Sequence, residues 1–318
     1  MTAPQREVLS PWLVRLSVLV GVLALVSAGT GLLWQGSGET ILVTNVQGQT
    51  SEILGQGLYR NDTLFVAGNN QGSDLVTIFL GLPLLATSLV YSLKGSMRGR
   101  LMLLGTLGFF LYVGSSYALG AVAYNELFLI YVALFSASLF AFVEVFSSFD
   151  AESLRAGLSD SIPRRWPGGF MVASGVVTLA IWLIEPVGAL ISGETPKSLD
   201  THTTLFTNAL DIAVIVPAAL VAGLMILRRR PFGYVIAFSL LVLEALLMPM
   251  IAIATVAQIR MGVSFTPGEI VGPIAGFSTF ALVSIWVIAV LLRRMPPLRK
   301  DAEDDRRTAS AGTPISSA

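Results

Sequence analysis

Eight long apolar stretches dominate this sequence, and they restrict the chain to folds that keep such stretches out of water. The stretches cover about residues 12–34, 75–93, 101–123, 127–148, 168–192, 208–227, 234–258 and 271–292. They match the roughly 20 residues that a helix needs to cross the hydrocarbon layer of a bilayer. Their apolar residues are continuous rather than alternating, which favours helices over a β-barrel. The sequence therefore predicts an all-α integral membrane protein, an eight-span helical bundle in contact with a lipid bilayer.

The composition excludes several classes of function. Only 13% of the residues are charged and the net charge is zero, whereas soluble domains are about a quarter charged. A neutral chain has no broad attraction for nucleic acid, so we expect no nucleic-acid partner. The chain has no cysteine, its one histidine is His202 in a loop, and its lysines lie outside the spans or at a span end. These absences argue against thiol chemistry, paired-histidine haem, zinc proteolysis and retinal binding, and we expect neither a cofactor nor a metal site.

The distribution of basic residues predicts the orientation. If the N-terminus is cytoplasmic, seventeen of the twenty Lys and Arg residues fall on the inside, and the outer loops keep only Arg60, Lys197 and Arg260. Such a bias is typical of the positive-inside rule. We therefore expect a protein of the plasma (inner) membrane, with a cytoplasmic tail at 1–11, a bundle at 12–293 and a disordered cytoplasmic tail at 294–318. The first span is longer than the apolar core of a signal peptide, so we expect it to be retained.

The longest polar segment is the first outer loop, residues 35–74. The runs "ETILVTNV" (39–46) and "DTLFVAG" (62–68) are rich in β-branched residues and are separated by Gly, Gln, Asn and Ser. This pattern indicates two short strands. It predicts a small hairpin-like cap over the outer mouth of the bundle.

The two halves of the chain share a spacing that indicates an internal repeat. Pro83 and Pro217, Lys94 and Arg228, and Gly99 and Gly233 are each separated by 134 residues, and "FS" recurs at 135–136 and 277–278. Two halves of four spans each would be a 4+4 parallel repeat, an arrangement known in transporters. The alternative is chance, because proline and basic flanks recur in apolar helices.

Part of the chain resembles a family. The stretches "LYRNDTLF", "SDLVTIFLGLPLL", "GSMRGRLMLLGTLGFFLY" and "YNELFLIYVALFSASLFAF" lie within residues 57–142. In general pattern they resemble an uncharacterised family of prokaryotic multi-pass membrane proteins. The resemblance implies a membrane fold, and it implies no activity.

Among the acids of the predicted spans, Glu244 is the one whose position has no local explanation. It lies two residues from the midpoint of span 7, roughly 15 Å from either surface at 1.5 Å per residue. Pro249 frees the carbonyl of Ala245 one turn away. A carboxyl group beside such a turn suits a proton or cation site, with Tyr112 of span 3 at matching depth. The alternative is a protonated Glu244 that hydrogen-bonds a neighbour such as Tyr112 for packing specificity.

Three further acids lie within predicted spans. Glu144, near the cytoplasmic end of span 4, is predicted to form an ion pair with Arg15 of span 1, although separate snorkelling would also serve the arginine. Glu185 precedes Pro186, which favours an end of span 5 at that point. Asp211 follows Asn208 by three residues, and this spacing resembles a capping box.

Three functions fit these observations. The leading hypothesis is a transporter or ligand-binding carrier for a small molecule or ion, with Glu244 near the midplane and no catalytic residue. The second is a non-catalytic sensor or assembly partner that uses the 35–74 cap. The third is an integral-membrane transferase using the cap acids Glu39, Glu52 and Asp62, an idea that depends on analogy.

Overall fold

The eight predicted spans are helices in the computed structural model, which describes residues 9–151, 154 and 163–294. Each is long and apolar enough to cross a bilayer, so the chain is a polytopic membrane protein. Apart from Leu9–Pro11 and Arg294, the predicted tails lie outside the described residues. In chain order the helices are α1 Pro11–Leu33, α2 Leu64–Leu93, α3 Met97–Leu119, α4 Phe128–Ser147, α5 Arg165–Ser192, α6 Phe206–Leu227, α7 Phe232–Arg260 and α8 Pro267–Arg294.

A small two-stranded hairpin follows α1, as expected for this loop, although its second strand is not the predicted one. Strand β1 (Ile41–Thr44) pairs with the antiparallel strand β2 (Thr50–Ile53). The Asn45 side chain closes the turn by accepting hydrogen bonds from the backbone of Gln47 and Gln49, an Asx arrangement. We call this end of the bundle the hairpin face. We call the opposite end the basic face, because the basic turns at residues 94–100 and 228–230 lie there.

The second predicted strand is wrong, because residues 64–68 begin α2 instead. The Thr63 hydroxyl caps the helix by accepting from the amide of Val66 at 3.4 Å, as N-terminal Thr side chains commonly do. The loop before α2 is therefore residues 34–63, shorter than the predicted 35–74. The helix starts early because its first turns are packed against α7, and that contact overrides the β-branched composition.

The contact between α2 and α7 joins the two halves of the bundle. Gly68 and Gly72 bring the helices so close that a Cβ at Gly72 would lie 2.7 Å from the backbone nitrogen of Ala254. The Gln258 side chain donates to the carbonyl of Phe65 at 2.8 Å across the same contact. Small residues four apart allow this approach of two backbones in membrane helices. Helix α3 also packs against α7, so α7 contacts helices of both halves.

The loops of the hairpin face contact one another. The Asp62 carboxylate accepts from the amide of Ala123 at 2.7 Å, and the Thr63 hydroxyl donates to Asp200 at 2.5 Å. Asn45 also donates to the carbonyl of Asp200 at 2.5 Å. The loops that follow α1, α3 and α5 are thus held together at one end of the bundle.

Two π-helical segments occur at equivalent positions of the 134-residue offset. Thr77–Gly81 lies within α2, and Asp211–Ile215 lies within α6. Each segment ends two residues before a proline, Pro83 or Pro217, which lacks the amide hydrogen that a helical turn requires. A π segment inside an α-helix is rare and is often found at functional sites.

The turns after α2 and α6 also match at this offset. Gly95 (φ 80°) and Arg229 (φ 59°) both adopt positive φ. In the helices that follow, Gly99 and Gly233 approach the preceding helix in the same way, since a Cβ would lie 2.7 Å from the amide nitrogen of Ser92 or of Ile226. The two segments therefore have matching backbone geometry, although Arg229 occupies a position where glycine is favoured.

We expect opposite effects on stability when the residue with positive φ is substituted in each of these two turns. Gly95→Ala should lower the free energy of unfolding by about 1 kcal/mol, because an L-residue is strained at positive φ. Arg229→Gly should relieve that strain, partly offset by the greater freedom of glycine in the unfolded chain. Thermal unfolding in detergent measures both variants. A loss of stability in both would contradict the equivalence of the two turns.

Candidate functional site

A cavity of about 320 Å³ lies among the helices of the second half. Its walls come from α5, α6, α7 and α8, and Tyr112 of α3 completes them. Asp211 and Gly272 line it near the hairpin-face ends of α6 and α8, and Glu244 lines it near the middle of α7. The cavity therefore extends from close to the hairpin face to the centre of the bundle.

Glu244 is held in this cavity by two hydroxyl groups. Ser174 of α5 donates to its Oε1 at 2.5 Å, and Ser284 of α8 donates to its Oε2 at 2.6 Å. Both serines are buried. In membrane helices a serine can also bond its own preceding turn, but here both hydroxyls reach across to the carboxyl group. Glu244 consequently links α5, α7 and α8.

The close packing of α3 on α7 explains the direction of Glu244. A Cβ at Gly105 would lie 2.5 Å from Val242, so only glycine allows Val242 to contact α3 this closely. Residues two positions apart on a helix differ by about 200° in direction. With Val242 packed against α3, Glu244 faces away from the first half and into the cavity.

Asp211 is the second acid of the cavity, and Tyr112 lies beside it. Tyr112 and Trp182 flank its carboxyl group. Asp211 is buried, and within the described part of the chain its Oδ1 has no hydrogen-bond partner. Tyr112 thus lines the same cavity as Glu244, and its role in a binding site stays a prediction. The hydrogen bonds of Glu244, however, come from the two serines.

The capping-box interpretation of Asp211 is wrong. Helix α6 begins at Phe206, so Asn208 lies inside the helix and Asp211 opens its π segment. The Asn208 side chain instead donates to the carbonyl of Trp182 at 3.1 Å. That carbonyl is the one that Pro186, four residues on, leaves without an amide donor. A tertiary contact has therefore replaced the local cap.

Span 5 does not end at Glu185, which is a second correction. Helix α5 continues through Pro186 to Ser192. Asn208 satisfies the carbonyl that the proline frees, so the helix is not forced to stop. Glu185 accepts hydrogen bonds from the amide and the hydroxyl of Ser198, at 2.7 and 2.5 Å, in the loop that follows.

Aromatic contacts join α5 and α8 beside the cavity. Trp166 and Trp286 have ring centroids 4.3 Å apart, and Phe170 and Phe280 have centroids 6.1 Å apart. Trp166 lies in the first turn of α5 and Phe280 lines the cavity.

The other predicted residues lie elsewhere. Arg15 is exposed on α1, and Glu144 is half-buried on α4, the helix against which α1 packs. An ion pair between them stays a prediction. Arg60 and Glu126 form an ion pair on the hairpin face. Among the described residues, no group of three or more His, Asp and Glu side chains is placed to hold a metal ion.

Sequence reasoning missed the two serines and one acid. Ser174 and Ser284 are single hydroxyls in apolar runs, and their spacing carries no sign of a shared partner. Asp74 fell one residue outside the predicted span 2, whereas the structure buries it inside α2. The small residues at Gly68 and Gly72 were the available signal that the helix starts earlier.

Comparison with known proteins finds no relative. No protein-family model, no curated protein and no solved structure matches this chain. The resemblance to a prokaryotic membrane family is thus not supported by an identified family. The class that the chain defines is a polytopic membrane protein with eight candidate spans.

Proposed function

We propose that this protein is a membrane carrier that binds a small ligand in the cavity of α5–α8, with Glu244 as the group that binds a cationic centre or a proton. The observation that carries the proposal is that Glu244 lines a cavity near the middle of α7. An acid in the middle of a span that faces a cavity marks a ligand or ion pathway in many membrane proteins. Its volume is within the range of small-molecule sites.

The composition of the cavity favours an organic cation with an apolar body. Trp182, Phe277 and Phe280 supply aromatic walls, and the charged side chains that line the cavity are Glu244 and Asp211. Aromatic faces and carboxylates both attract cations, and desolvation strengthens the attraction. A negatively charged ligand would find no basic partner among these lining residues.

The hydrogen bonds of Glu244 supply a link between binding and movement. Its two oxygens hold Ser174 on α5 and Ser284 on α8. A cation or proton on the carboxyl group would compete with these bonds and loosen α5 from α8. The aromatic pairs also join these two helices, so the same change would act on the whole contact between α5 and α8.

A duplication of four spans is consistent with a binding site in the second half of the bundle alone. The π segments and the following turns recur at an offset of 134 residues. At this offset Phe110 is the counterpart of Glu244 in the sequence. Phe110 is buried in the core of the first half. We propose that the halves are parallel repeats, with the first as a solid scaffold and the second as the binding unit. The charge bias further supports cytoplasmic termini, with the hairpin face outside.

Binding of tetraalkylammonium ions tests the carrier proposal. Trp182 lines the cavity, so a saturable change in tryptophan fluorescence of the detergent-purified protein reports binding across a series of increasing alkyl length. Glu244→Gln should weaken binding by roughly tenfold or more, about 1.4 kcal/mol for the loss of one buried charge partner. Trp182→Phe should lose the signal.

Glu144→Gln is the matched control, because Glu144 is a span glutamate on α4 that does not line the cavity. Its binding should equal that of the wild type. Equal binding by wild type and Glu244→Gln would contradict the role of Glu244. No saturable response of the wild type to any member of the series would contradict the cation class.

A sensing or assembly role is the second candidate. Strand β1 exposes Ile41, Leu42 and Val43, and Val46 in the turn is 95% exposed. Exposed apolar residues of this kind often mark an interaction surface. The transferase hypothesis has less support, because Glu39 and Glu52 are exposed while Asp62 is buried against Ala123.

A further inference from the structure

A second buried acid, Asp74, lies in the first half of the bundle, outside the cavity of Glu244. Tyr59, from the loop before α2, donates to its Oδ2 at 2.5 Å, and the Tyr117 hydroxyl of α3 lies 3.3 Å from its Oδ1. Asp74 is 1% exposed, and both tyrosines are buried. Burial and the neighbouring Asp74 carboxyl raise the pKa of Tyr59 well above its usual value, so its hydroxyl keeps the proton that it donates.

No positive side chain among the described residues balances Asp74. The titratable groups that act on this cluster are Tyr59, Tyr117 and Tyr131, with Asp62 and Glu126 beyond them. Gly31 of α1, and Met250 and Gln258 of α7, which also pack around this part of α2, carry no charge. An unpaired charge in such a place is costly.

Asn70 gives an independent sign of a missing partner. It lies one helical turn before Asp74 on the same side of α2 and is 0% exposed. Within the described residues, both its Nδ2 and its Oδ1 lack a hydrogen-bond partner. Its main-chain carbonyl accepts from Tyr117 at 3.2 Å. A buried amide without partners is destabilising, and a bound species that contacts the amide would remove that cost.

The surrounding backbone is shaped around this cluster. A Cβ at Gly31 would lie 2.6 Å from the Tyr59 hydroxyl and would collide with Asp74, so α1 approaches the acid only because residue 31 is glycine. The π segment Thr77–Gly81 begins three residues after Asp74. Its first amide, that of Thr77, is directed at the carbonyls of Ser73 and Asp74.

We propose that Asp74, Asn70, Tyr59 and Tyr117 form a second binding site, which takes a small monovalent cation, H⁺ or Na⁺, that neutralises Asp74. One carboxylate with neutral oxygens, from two hydroxyls and the carbonyls of Asn70, matches a single positive charge. Ca²⁺ sites usually have more oxygen ligands and several carboxylates. The bound cation holds Tyr59, and with it the hairpin loop, against α1, α2 and α3. This site does not depend on the carrier proposal.

Two measurements on the full chain in detergent test the site. In the first, NaCl replaces choline chloride at constant ionic strength while thermal unfolding is followed. In the second, without Na⁺, infrared spectroscopy follows the carboxylic acid C=O band as the pH changes. A Na⁺-dependent rise in Tm that is absent in Asp74→Asn identifies Na⁺. A pH-dependent band that Asp74→Asn lacks, without a Na⁺ response, identifies H⁺.

Glu144→Gln is the control, since it removes an acid of α4 that belongs to neither proposed site, and it should keep the response. The proposal is overturned if Asp74→Asn responds to Na⁺ and pH as the wild type does. Tyr59→Phe removes one oxygen and keeps the ring, so it serves if Asp74→Asn does not fold. It should raise the Na⁺ concentration at half-response by roughly tenfold, or move the midpoint of the band, and an unchanged response would also overturn the proposal.

Discussion

Gly72→Ala should destabilise the protein by about 3 kcal/mol in the free energy of unfolding. The added Cβ would lie 2.7 Å from the amide nitrogen of Ala254 and from the carbonyl oxygen of Met250. Both are backbone atoms and cannot rotate away, so α2 and α7 must separate. Overpacking costs roughly 1–3 kcal/mol, and contact with backbone should place this variant at the upper end. Chemical or thermal unfolding in a mild detergent measures the effect.

Gly169→Ala is the matched control for this prediction. Gly169 lies in the first turns of α5, and a Cβ there would meet nothing within 4 Å. Alanine favours helix over glycine, so this variant should be as stable as the wild type or slightly more stable. Equal stability of Gly72→Ala and Gly169→Ala would contradict the close approach of α2 and α7.

Asp62→Asn should change how stability depends on pH. Burial, with the nearby Asp200 as a smaller cause, raises the pKa of Asp62 to about 7, against the effect of the Ala123 amide. The folded protein therefore keeps a proton on Asp62 that the unfolded chain releases near pH 4. This contribution to stability is fully present below about pH 4 and is lost as the pH rises through about 7, a loss on the order of 4 kcal/mol. Relative to wild type, Asp62→Asn should gain stability over that interval.

The measurement is the difference in free energy of unfolding between Asp62→Asn and wild type from acid to neutral pH. Asparagine keeps an oxygen for the amide of Ala123, which the wild-type carboxylate accepts at 2.7 Å. Glu52→Gln is the control, because Glu52 is exposed on the hairpin, and its difference should stay flat. A flat difference for Asp62→Asn would contradict the burial of its carboxyl group.

Features that depend on local composition could be predicted from the sequence. The eight spans follow from the length and continuity of apolar runs, and each is a helix in the structure. A hairpin in the loop after α1 was predicted from β-branched runs, and the first of its two strands, residues 41–44, lies within a predicted run. The start of α2 could not be predicted in this way, because the contact of Gly68 and Gly72 with α7 decides it, nearly 190 residues further along the chain.

For the candidate site as well, the sequence predicts some features and the tertiary structure decides others. The position of Glu244 near the middle of a span is a property of the sequence alone, since depth depends on the count of residues along one helix. Its role in binding stays a prediction. Whether it faces lipid, core or cavity depends on the rotation of α7, which the contact of Gly105 with Val242 fixes.

The sequence by itself determined that this is a membrane protein of eight helices with a carboxyl group at mid-depth, because a bilayer imposes one length and one polarity on every span. Only the tertiary structure decided that Ser174 and Ser284 hold that carboxyl group, and that Asp74 meets Tyr59 and Tyr117. In a bilayer, close packing and hydrogen bonds between helices decide which helices become neighbours. Those contacts join residues far apart in the chain, and hydropathy carries no record of them.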